Sequence, residues 1–362
     1  MNFFKNNINN ISHFFKSKGI KFNSNFTDIN DILINCIKED DLFKLKALME
    51  YANINNIKID INGKESEDDY PLLRAIYNNN YEMVNLLLEY SDKNNNKLNI
   101  NKEDNYGNYS LLVAVKKNNI KIVKLIVEYA IKKNIILKIN EKGDGGNYPI
   151  LKAVSHNNYE IVKYLIDYAN EICTVLTINE KNNQGEYPML KAISKNNIDI
   201  VELLIEYSDI YDLTLTLNDK DYRYCTYPIL EAVINNNDVI VDILINYANK
   251  NNITLEVDEK NIKYDYPILH AINKNNIDII NSIVEYAYNN NIILTIYEND
   301  IFDVSNLYTK VIRLMNEYKN ENKIRIIFKE NSTILSKFNE INKINNGNEN
   351  IEIDKVSNII LL

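Results

Sequence analysis

The residue types best suited to catalysis or metal binding are few in this chain and lie far apart. The histidines are His13, His156 and His270, and the cysteines are Cys36, Cys173 and Cys225. None of their spacings matches a zinc site, a redox pair or a disulfide framework. A catalytic or metal site needs several such groups that converge on one point. No nucleotide-binding or zinc-protease motif occurs either, so the sequence predicts no catalytic residue, no metal site and no cofactor.

A second group of residues has the chemistry of a protein interface. Tyr222, Arg223 and Tyr224 are consecutive, and Tyr264 lies further along in a similar polar segment. Tyr and Arg are enriched where interfaces concentrate their binding energy. These residues therefore predict a contact surface, although tyrosine is common in the chain, with 26 in all.

An acidic residue followed by lysine also recurs. The pairs are Glu141-Lys142, Glu180-Lys181, Asp219-Lys220 and Glu259-Lys260. They could form a ladder that contacts a ligand. The alternative is a row of solvated charges that pair with their neighbours at little energetic gain, and we favour this second interpretation.

The elements that must position these residues are repeats of about 39 residues. A Tyr-Pro dipeptide, once Tyr-Ser, recurs at steps of 39, 39, 39, 40 and 39 residues, and an alanine always stands five residues later. These anchor tyrosines are Tyr70, Tyr109, Tyr148, Tyr187, Tyr227 and Tyr266, and the alanines are Ala75, Ala114, Ala153, Ala192, Ala232 and Ala271. A fixed period of this size is typical of repeat proteins, and the alanine predicts a point of close approach between stacked helices.

Each repeat is predicted to contain two helices followed by an extended segment. In the repeat anchored at Tyr187, apolar residues follow a helical spacing over residues 187–196, and the proline suits a first helical turn. Asn196 and Asn197 are predicted to end this helix, because asparagine tolerates the left-handed conformation. A second amphipathic helix is predicted over residues 198–208.

These repeats resemble the ankyrin repeat. Residues 105–114 and 183–192 follow the family pattern D-x-x-G-x-T-P-L-H-x-A, and residues 161–166 follow its second-helix pattern. The resemblance covers about residues 28–300. Three positions depart from the family pattern. Tyr replaces the family's Thr, Leu or Ile replaces its His, and Asn replaces its Gly. The usual hydroxyl–imidazole hydrogen bonds are therefore expected to be absent, with tyrosine stacking as their substitute.

The period is about six residues longer than the roughly 33 of the family. We expect the extra residues between the second helix and the extended segment, as in residues 130–135, where either the helix or the following strand is longer.

The resemblance implies an all-α fold, an ankyrin-like solenoid of helix–turn–helix repeats with extended hairpin or tip segments. We divide the chain into five regions. They are an N-terminal extension (1–27), a degenerate N-terminal capping repeat (28–69), six repeats (70–303), a C-terminal capping segment (304–342) and a tail (343–362) in which disorder is expected.

The resemblance also implies where a partner binds, because ankyrin repeats generally use the hairpin tips and the concave-facing end of the first helix. The first-helix positions are Tyr77, Lys116, Lys117, His156, Lys195 and Lys274, and the tip positions are Tyr222, Arg223, Tyr224 and Tyr264. With Lys152 and Lys191, the lysines could form a basic strip that favours a partner with an acidic surface. The alternative, which we favour slightly, is that they are the solvated lysines of a chain rich in Asn and Lys.

Composition narrows the class of function. The net charge of −9 and the pI near 5.1 argue against nucleic-acid binding. Neither a signal peptide nor an apolar run of about 18 residues is found, so we expect an intracellular, cytoplasmic monomer away from membranes. We attribute the abundant asparagine mainly to an AT-rich genome. The favoured function is a non-catalytic scaffold or adaptor that binds another protein; the alternative is a targeting or regulatory module for an enzyme supplied by another chain.

Overall fold

The computed structural model describes residues 2–22, 26, 28–63 and 70–297, with strands at 324–327, 353–354 and 359–361. The chain divides into two compact units, Met1–Asn183 and Gln184–Leu362. Helices dominate both units, so the all-α class is confirmed.

The first unit holds nine α-helices within its described residues. They are α1 (Asn2–Ser17), α2 (Ile29–Lys38), α3 (Leu42–Ile54), α4 (Pro71–Tyr77), α5 (Tyr81–Lys93), α6 (Ser110–Lys116), α7 (Ile120–Lys132), α8 (Pro149–Ser155) and α9 (Tyr159–Glu171), with a short 3-10 turn at Asp144–Gly146. From α2 onwards they form antiparallel hairpins, and successive hairpins pack side by side.

The second unit continues the same pattern. Its helices are α10 (Pro188–Ser194), α11 (Ile198–Ile210), α12 (Pro228–Ile234), α13 (Asp238–Lys250), α14 (Pro267–Lys274) and α15 (Ile277–Asn289). Four short strands follow, β1 (Leu294–Tyr297), β2 (Ile324–Ile327), β3 (Ile353–Asp354) and β4 (Ile359–Leu361). They form a sheet in the order β1-β2-β4-β3, with β1 and β2 parallel and the other pairs antiparallel. The predicted capping segment (304–342) and disordered tail (343–362) otherwise lie outside the described residues.

Residues at the helix ends determine where the two helices of each repeat begin and end. The first helix of the Tyr187 repeat starts with Pro188 directly after the anchor tyrosine, at the position where a missing N–H is harmless. Asn196 then adopts a left-handed conformation with φ of 54°. The second helix runs from Ile198 to Ile210, two residues beyond the prediction. The sequence thus predicted both helices and the residue that separates them.

The recurring alanines and anchor tyrosines form the core between hairpins. All six alanines are fully buried, as are the anchor tyrosines from Tyr109 onwards. The alanines lie on the first helices, which pack against each other within each unit, α4 on α6 and α6 on α8, and α10 on α12 and α12 on α14. A small side chain at this position permits the close approach of stacked helices, as the sequence predicted.

The hydroxyl groups of the anchor tyrosines join consecutive repeats. The Tyr148 hydroxyl donates to the backbone carbonyl of Glu180 at 2.7 Å, and that of Tyr227 donates to the carbonyl of Glu259, also at 2.7 Å. Tyr109 and Tyr187 make the equivalent bonds. The expected substitute for the missing hydroxyl–imidazole bonds was tyrosine stacking. The structure instead shows a hydrogen bond to the next repeat, because the long phenol reaches a carbonyl that a threonine could not.

The residues whose carbonyls accept these hydrogen bonds belong to the recurring acidic–basic pairs. The carbonyl-bearing residues, Glu141, Glu180, Asp219 and Glu259, are the acidic members of those pairs. Their side chains also form ion pairs between neighbouring repeats, since Lys142 lies 2.7 Å from Glu180 and Lys220 lies 3.3 Å from Glu259. These carboxylates are more than half exposed, so the pairs contribute little to stability.

Asparagines connect the repeats at the start of each second helix. The Asn158 side chain accepts the backbone N–H of Ile161 and so caps α9, while its amide donates to the Asn118 side chain at 2.7 Å. The same arrangement recurs at Asn119, and at Asn237 and Asn276 in the second unit. Asn118 is itself left-handed, with φ of 55°. Each such asparagine pair therefore satisfies a helix terminus and binds the preceding repeat, a structural role beyond compositional bias.

A second set of asparagines holds the extended segments together. The Asn140 amide donates to the carbonyl of Val175 at 2.8 Å, and its oxygen accepts the N–H of Thr177 at 3.1 Å. Asn62, Asn101 and Asn218 make the same pair of contacts. Of the extra residues expected at 130–135, the first three belong to helix α7. Residues 133–135 follow the helix and form the turn.

The N-terminal extension contributes a helix that no sequence pattern predicted. Helix α1 packs against α3, with Ile11 and Phe15 buried. The ring of Phe14 lies 5.4 Å from that of Tyr51, and Lys18 pairs with Glu50 at 2.8 Å. Within the described residues, no helix is long and apolar enough to cross a membrane.

Candidate functional site

The hairpin tips are shaped by one polar residue at their start. In the second unit, Asp221 accepts the backbone N–H groups of Arg223 and Tyr224 at 2.7 Å with one oxygen. Its other oxygen accepts the N–H of Thr226 at 3.1 Å. Asn261 shapes the next tip in the same way. At the Asp221 tip, Tyr222 is 66% exposed and Arg223 is also exposed.

The tip that contains Tyr264 adopts an unfavourable backbone conformation. Tyr264 has φ of 62° and is 72% exposed, whereas three other tips have glycine in this left-handed position. Gly185 is one of them, with φ of 78°. A left-handed residue other than glycine costs about 1–2 kcal/mol. A large aromatic side chain is therefore retained at this tip against the local conformational preference.

Replacing Tyr264 with glycine is expected to raise the free energy of unfolding by about 0.5–1 kcal/mol, because relief of strain exceeds the greater flexibility of glycine in the unfolded chain. Urea denaturation measures the change. The matched control is Gly185→Ala, which should destabilise because its Cβ would lie 2.7 Å from the backbone nitrogen of Tyr222. A loss of stability in the Tyr264 variant would contradict this account of the tip.

The predicted residues Tyr222, Arg223 and Tyr224 line a groove in the second unit. This groove, called here the Glu231 groove, has a volume of about 670 Å³ and lies between the tips and the first helices α10 and α12. Leu190 and Lys191 line it from α10, and Glu231 lines it from α12. Tyr264 belongs to the following tip, which contacts this one where the Ile262 N–H donates to the Tyr224 carbonyl at 3.2 Å.

Aromatic and cationic groups meet at the rim of the groove. The Arg223 guanidinium lies 4.9 Å from the centre of the Tyr224 ring, and the Lys263 ammonium lies 4.4 Å from it. Both distances are within the range of cation–π contact. The Tyr224 ring is thus a site in the chain where positively charged side chains gather.

The charged side chains that line the groove differ in whether they have a partner. Lys191 forms an ion pair with Glu186, and Asp221 is occupied by backbone donors. Glu231 is half-buried, and among the described residues its carboxylate has no hydrogen bond or ion pair. Burial, and next the charge of Asp221, raise the pKa of Glu231 above its ordinary value.

Three more predicted residues meet in a cavity of the first unit. Tyr77, Lys116 and Lys117 line a space of about 400 Å³. The Tyr77 hydroxyl donates to Asp104 at 2.6 Å, and Lys116 donates to the Asn108 side chain at 2.6 Å. Burial alone would raise the pKa of Asp104, but hydrogen bonds from Tyr77 and Asn108 outweigh it and lower that pKa. These polar groups satisfy one another and form a structural network between repeats.

The remaining predicted residues are not brought into either space. His156 and Lys195 are the C-terminal caps of α8 and α10, and Lys274 is the last residue of α14. Two lysines of the basic strip are already paired, since Lys116 lies 3.5 Å from Asp144 and Lys191 pairs with Glu186. An acidic partner therefore remains a prediction, with less free positive charge to support it than the sequence indicated.

Sequence reasoning missed Glu231. Aligning the six repeats would have identified it. The residue before the recurring alanine is basic in four repeats and acidic only in the repeat of Glu231. Within the described part of the chain, no group of three or more histidine, cysteine, aspartate or glutamate side chains could hold a metal ion.

Comparison with protein-family models identifies the family of this chain. A family model described as ankyrin repeats in three copies matches residues 5–136 and 134–216, more than half of the chain. No curated protein sequence matches, whereas 566 chains of solved structures do. One is the crystal structure of the ankyrin repeat domain of Bcl-3, titled a unique member of the IkappaB protein family. It is 16% identical, covers 70% of this chain and 97% of that chain, and has a TM-score of 0.47. The chain belongs to the ankyrin repeat family, whose repeats form protein-interaction domains.

Proposed function

We propose that this protein is a non-catalytic scaffold or adaptor that holds another protein against the tips and first-helix ends of its second unit. The observation that carries the proposal is that Tyr222, Arg223 and Tyr224 line the Glu231 groove, with the exposed Tyr264 on the tip that follows. Two of these tyrosines are about as exposed as any large hydrophobic side chain of the described residues.

The distribution of variable positions supports the same function. Positions that recur from repeat to repeat, such as Ala192 and Tyr187, are buried and join the hairpins. The tips and the ends of the first helices differ from repeat to repeat, and their residues are mostly half-buried or exposed. Aromatic and arginine side chains at such positions suit the centre of an interface, because they supply large contact areas at small entropic cost.

The test is affinity capture from an extract of the native cells with the full chain as bait. Replacing Tyr222, Arg223 and Tyr224 together with alanine is expected to leave the circular dichroism spectrum unchanged, because the Asp221 turn depends on backbone donors. The same change should remove the captured partner, since it removes the anchor side chains of the interface.

The matched control replaces Glu202, Glu206 and Ile210, which are exposed on helix α11 away from the tips. This control should retain the partner. Equal capture by the wild-type chain and the tip variant would refute the proposed surface. A captured partner that is an enzyme would favour the regulatory or targeting role over a simple scaffold.

A further inference from the structure

One first-helix position differs in charge from its equivalents in the other repeats. The residue directly before the recurring alanine is Arg74, Val113, Lys152, Lys191, Glu231 or His270, in chain order. Four of the six can carry a positive charge and one is apolar. Only Glu231 is acidic, so the central repeat of the second unit reverses the charge of this position.

The neighbouring repeats show what the usual arrangement achieves. Lys191 pairs with Glu186, which directly precedes the anchor tyrosine of the same repeat, and His270 lies 3.2 Å from Asp265 in the equivalent place. In the repeat of Glu231 this place is taken by Thr226, which is buried and carries no charge. Glu231 therefore lacks the pairing within the repeat that both neighbours have.

Two cations lie near Glu231 in the described structure, and each of them is already engaged by another group. From the preceding repeat it faces Lys191, which is engaged by Glu186. From the following tip it faces Lys263, which lies over the Tyr224 ring. Its own tip adds the like charge of Asp221. A half-buried carboxylate without a cation is unfavourable, and a positive charge supplied from outside would relieve that cost.

The walls of the groove suit a long cationic side chain. Leu190 lines the groove but is only 5% exposed, so the ring of Tyr222, which is 66% exposed, offers the larger apolar surface to a methylene stem. The Tyr224 ring, which also lines the groove, already lies within contact distance of two cations.

We propose that the Glu231 groove receives a lysine or arginine side chain from a short segment of the partner protein, with Glu231 as its carboxylate acceptor and Tyr224 as its aromatic wall. This inference rests on the proposed function and specifies the partner's chemistry at one subsite. It reverses, for this groove, the acidic partner that the lysine content of the sequence indicated.

The test uses phage-displayed random short peptides, selected on the full chain and counter-selected on the variant in which Tyr222, Arg223 and Tyr224 are alanine. Recovered peptides are expected to share a lysine or arginine at one position. A synthesised peptide of this set should bind the Glu231→Gln chain about tenfold or more weakly, because the charge-assisted contact is lost. The control Glu202→Gln, on exposed α11 surface, should bind it normally.

Two further measurements separate recognition from folding. Glu231→Gln should be at least as stable to urea as the wild-type chain, since an unpaired carboxylate is removed. Replacing the peptide's basic residue with glutamine should weaken binding to the wild-type chain but add no loss in the Glu231→Gln chain, as a double-mutant cycle requires for a direct contact.

Three outcomes would overturn the inference. The first outcome is that the recovered peptides are acidic or lack a common basic residue. The second is that Glu231→Gln binds the peptide within about twofold of the wild-type affinity, a smaller change than the loss of a charge-assisted contact causes. Either outcome refutes the Glu231 subsite and leaves the proposed function standing. If no peptide distinguishes the wild-type chain from the tip variant, the tip surface itself fails, and the subsite fails with it.

Discussion

Replacing Tyr148 with alanine is expected to lower the free energy of unfolding of the first unit by about 3–5 kcal/mol, as for other large buried aromatic residues. The side chain is fully buried, and its hydroxyl donates to the Glu180 carbonyl in the next repeat. The substitution therefore creates a cavity and also removes the donor from the part-buried hydrogen bond to the Glu180 carbonyl. Urea denaturation followed by far-ultraviolet circular dichroism measures the loss.

Tyr148→Phe separates the two contributions. It keeps the ring and removes only the hydroxyl, so the expected loss is about 1 kcal/mol, the usual net value of one buried hydrogen bond. If Phe and Ala variants are equally unstable, packing is not the main contribution of the anchor tyrosine. If the Phe variant equals the wild-type chain, the hydrogen bond to Glu180 does not stabilise the contact between repeats.

Replacing Asn158 with alanine is expected to lower the free energy of unfolding by about 2 kcal/mol. Loss of an N-cap removes about 1 kcal/mol, and loss of a net hydrogen bond between side chains removes a similar amount. In this position the side chain oxygen caps α9 and the amide bonds to Asn118. One residue therefore supports a helix and the contact between two repeats.

Asn158→Asp is the matched variant. Aspartate still caps the helix, and its charge is favourable near the positive end of the helix, but it cannot donate to Asn118. Its stability should lie between those of the wild-type and alanine chains when measured by the same urea titration. A stability equal to that of the wild-type chain would mean that the Asn158–Asn118 bond contributes nothing.

The features that could be predicted from the sequence are those set by local chemistry. The period, the proline at the first helical position and the left-handed Asn196 each depend on residues close in the chain. The close approach at the alanines was also predictable, since the same small residue recurs in every repeat. These local features established the helical hairpins and their boundaries to within about two residues.

The contacts between repeats could not be predicted from local sequence patterns. The Tyr148 hydroxyl bonds to a carbonyl 32 residues away, and Asn158 bonds to a side chain 40 residues away. Both contacts depend on how one repeat is placed on the next, which no local pattern specifies. Asparagine therefore looked like compositional bias although it caps helices and joins repeats.

In the candidate site, too, some residues could be predicted from the sequence and others could not. Tyr222, Arg223 and Tyr224 were predicted from residue type alone, and all three line one groove in the structure. The position of Glu231 stood out only by comparison with the other repeats. Its isolation depends on which acids pair with Lys191 and His270 and on the burial of Thr226, all of which are properties of the folded chain.

Hydrogen–deuterium exchange of the full chain, free and bound to its captured partner, tests the central claim most directly. Residues 221–226 and 261–265 of the tips and the first helix α12 are expected to exchange more slowly in the complex, while the second helices α11 and α13 exchange as in the free chain. Slower exchange confined to α11 and α13, with unchanged tips, would contradict the proposed binding surface.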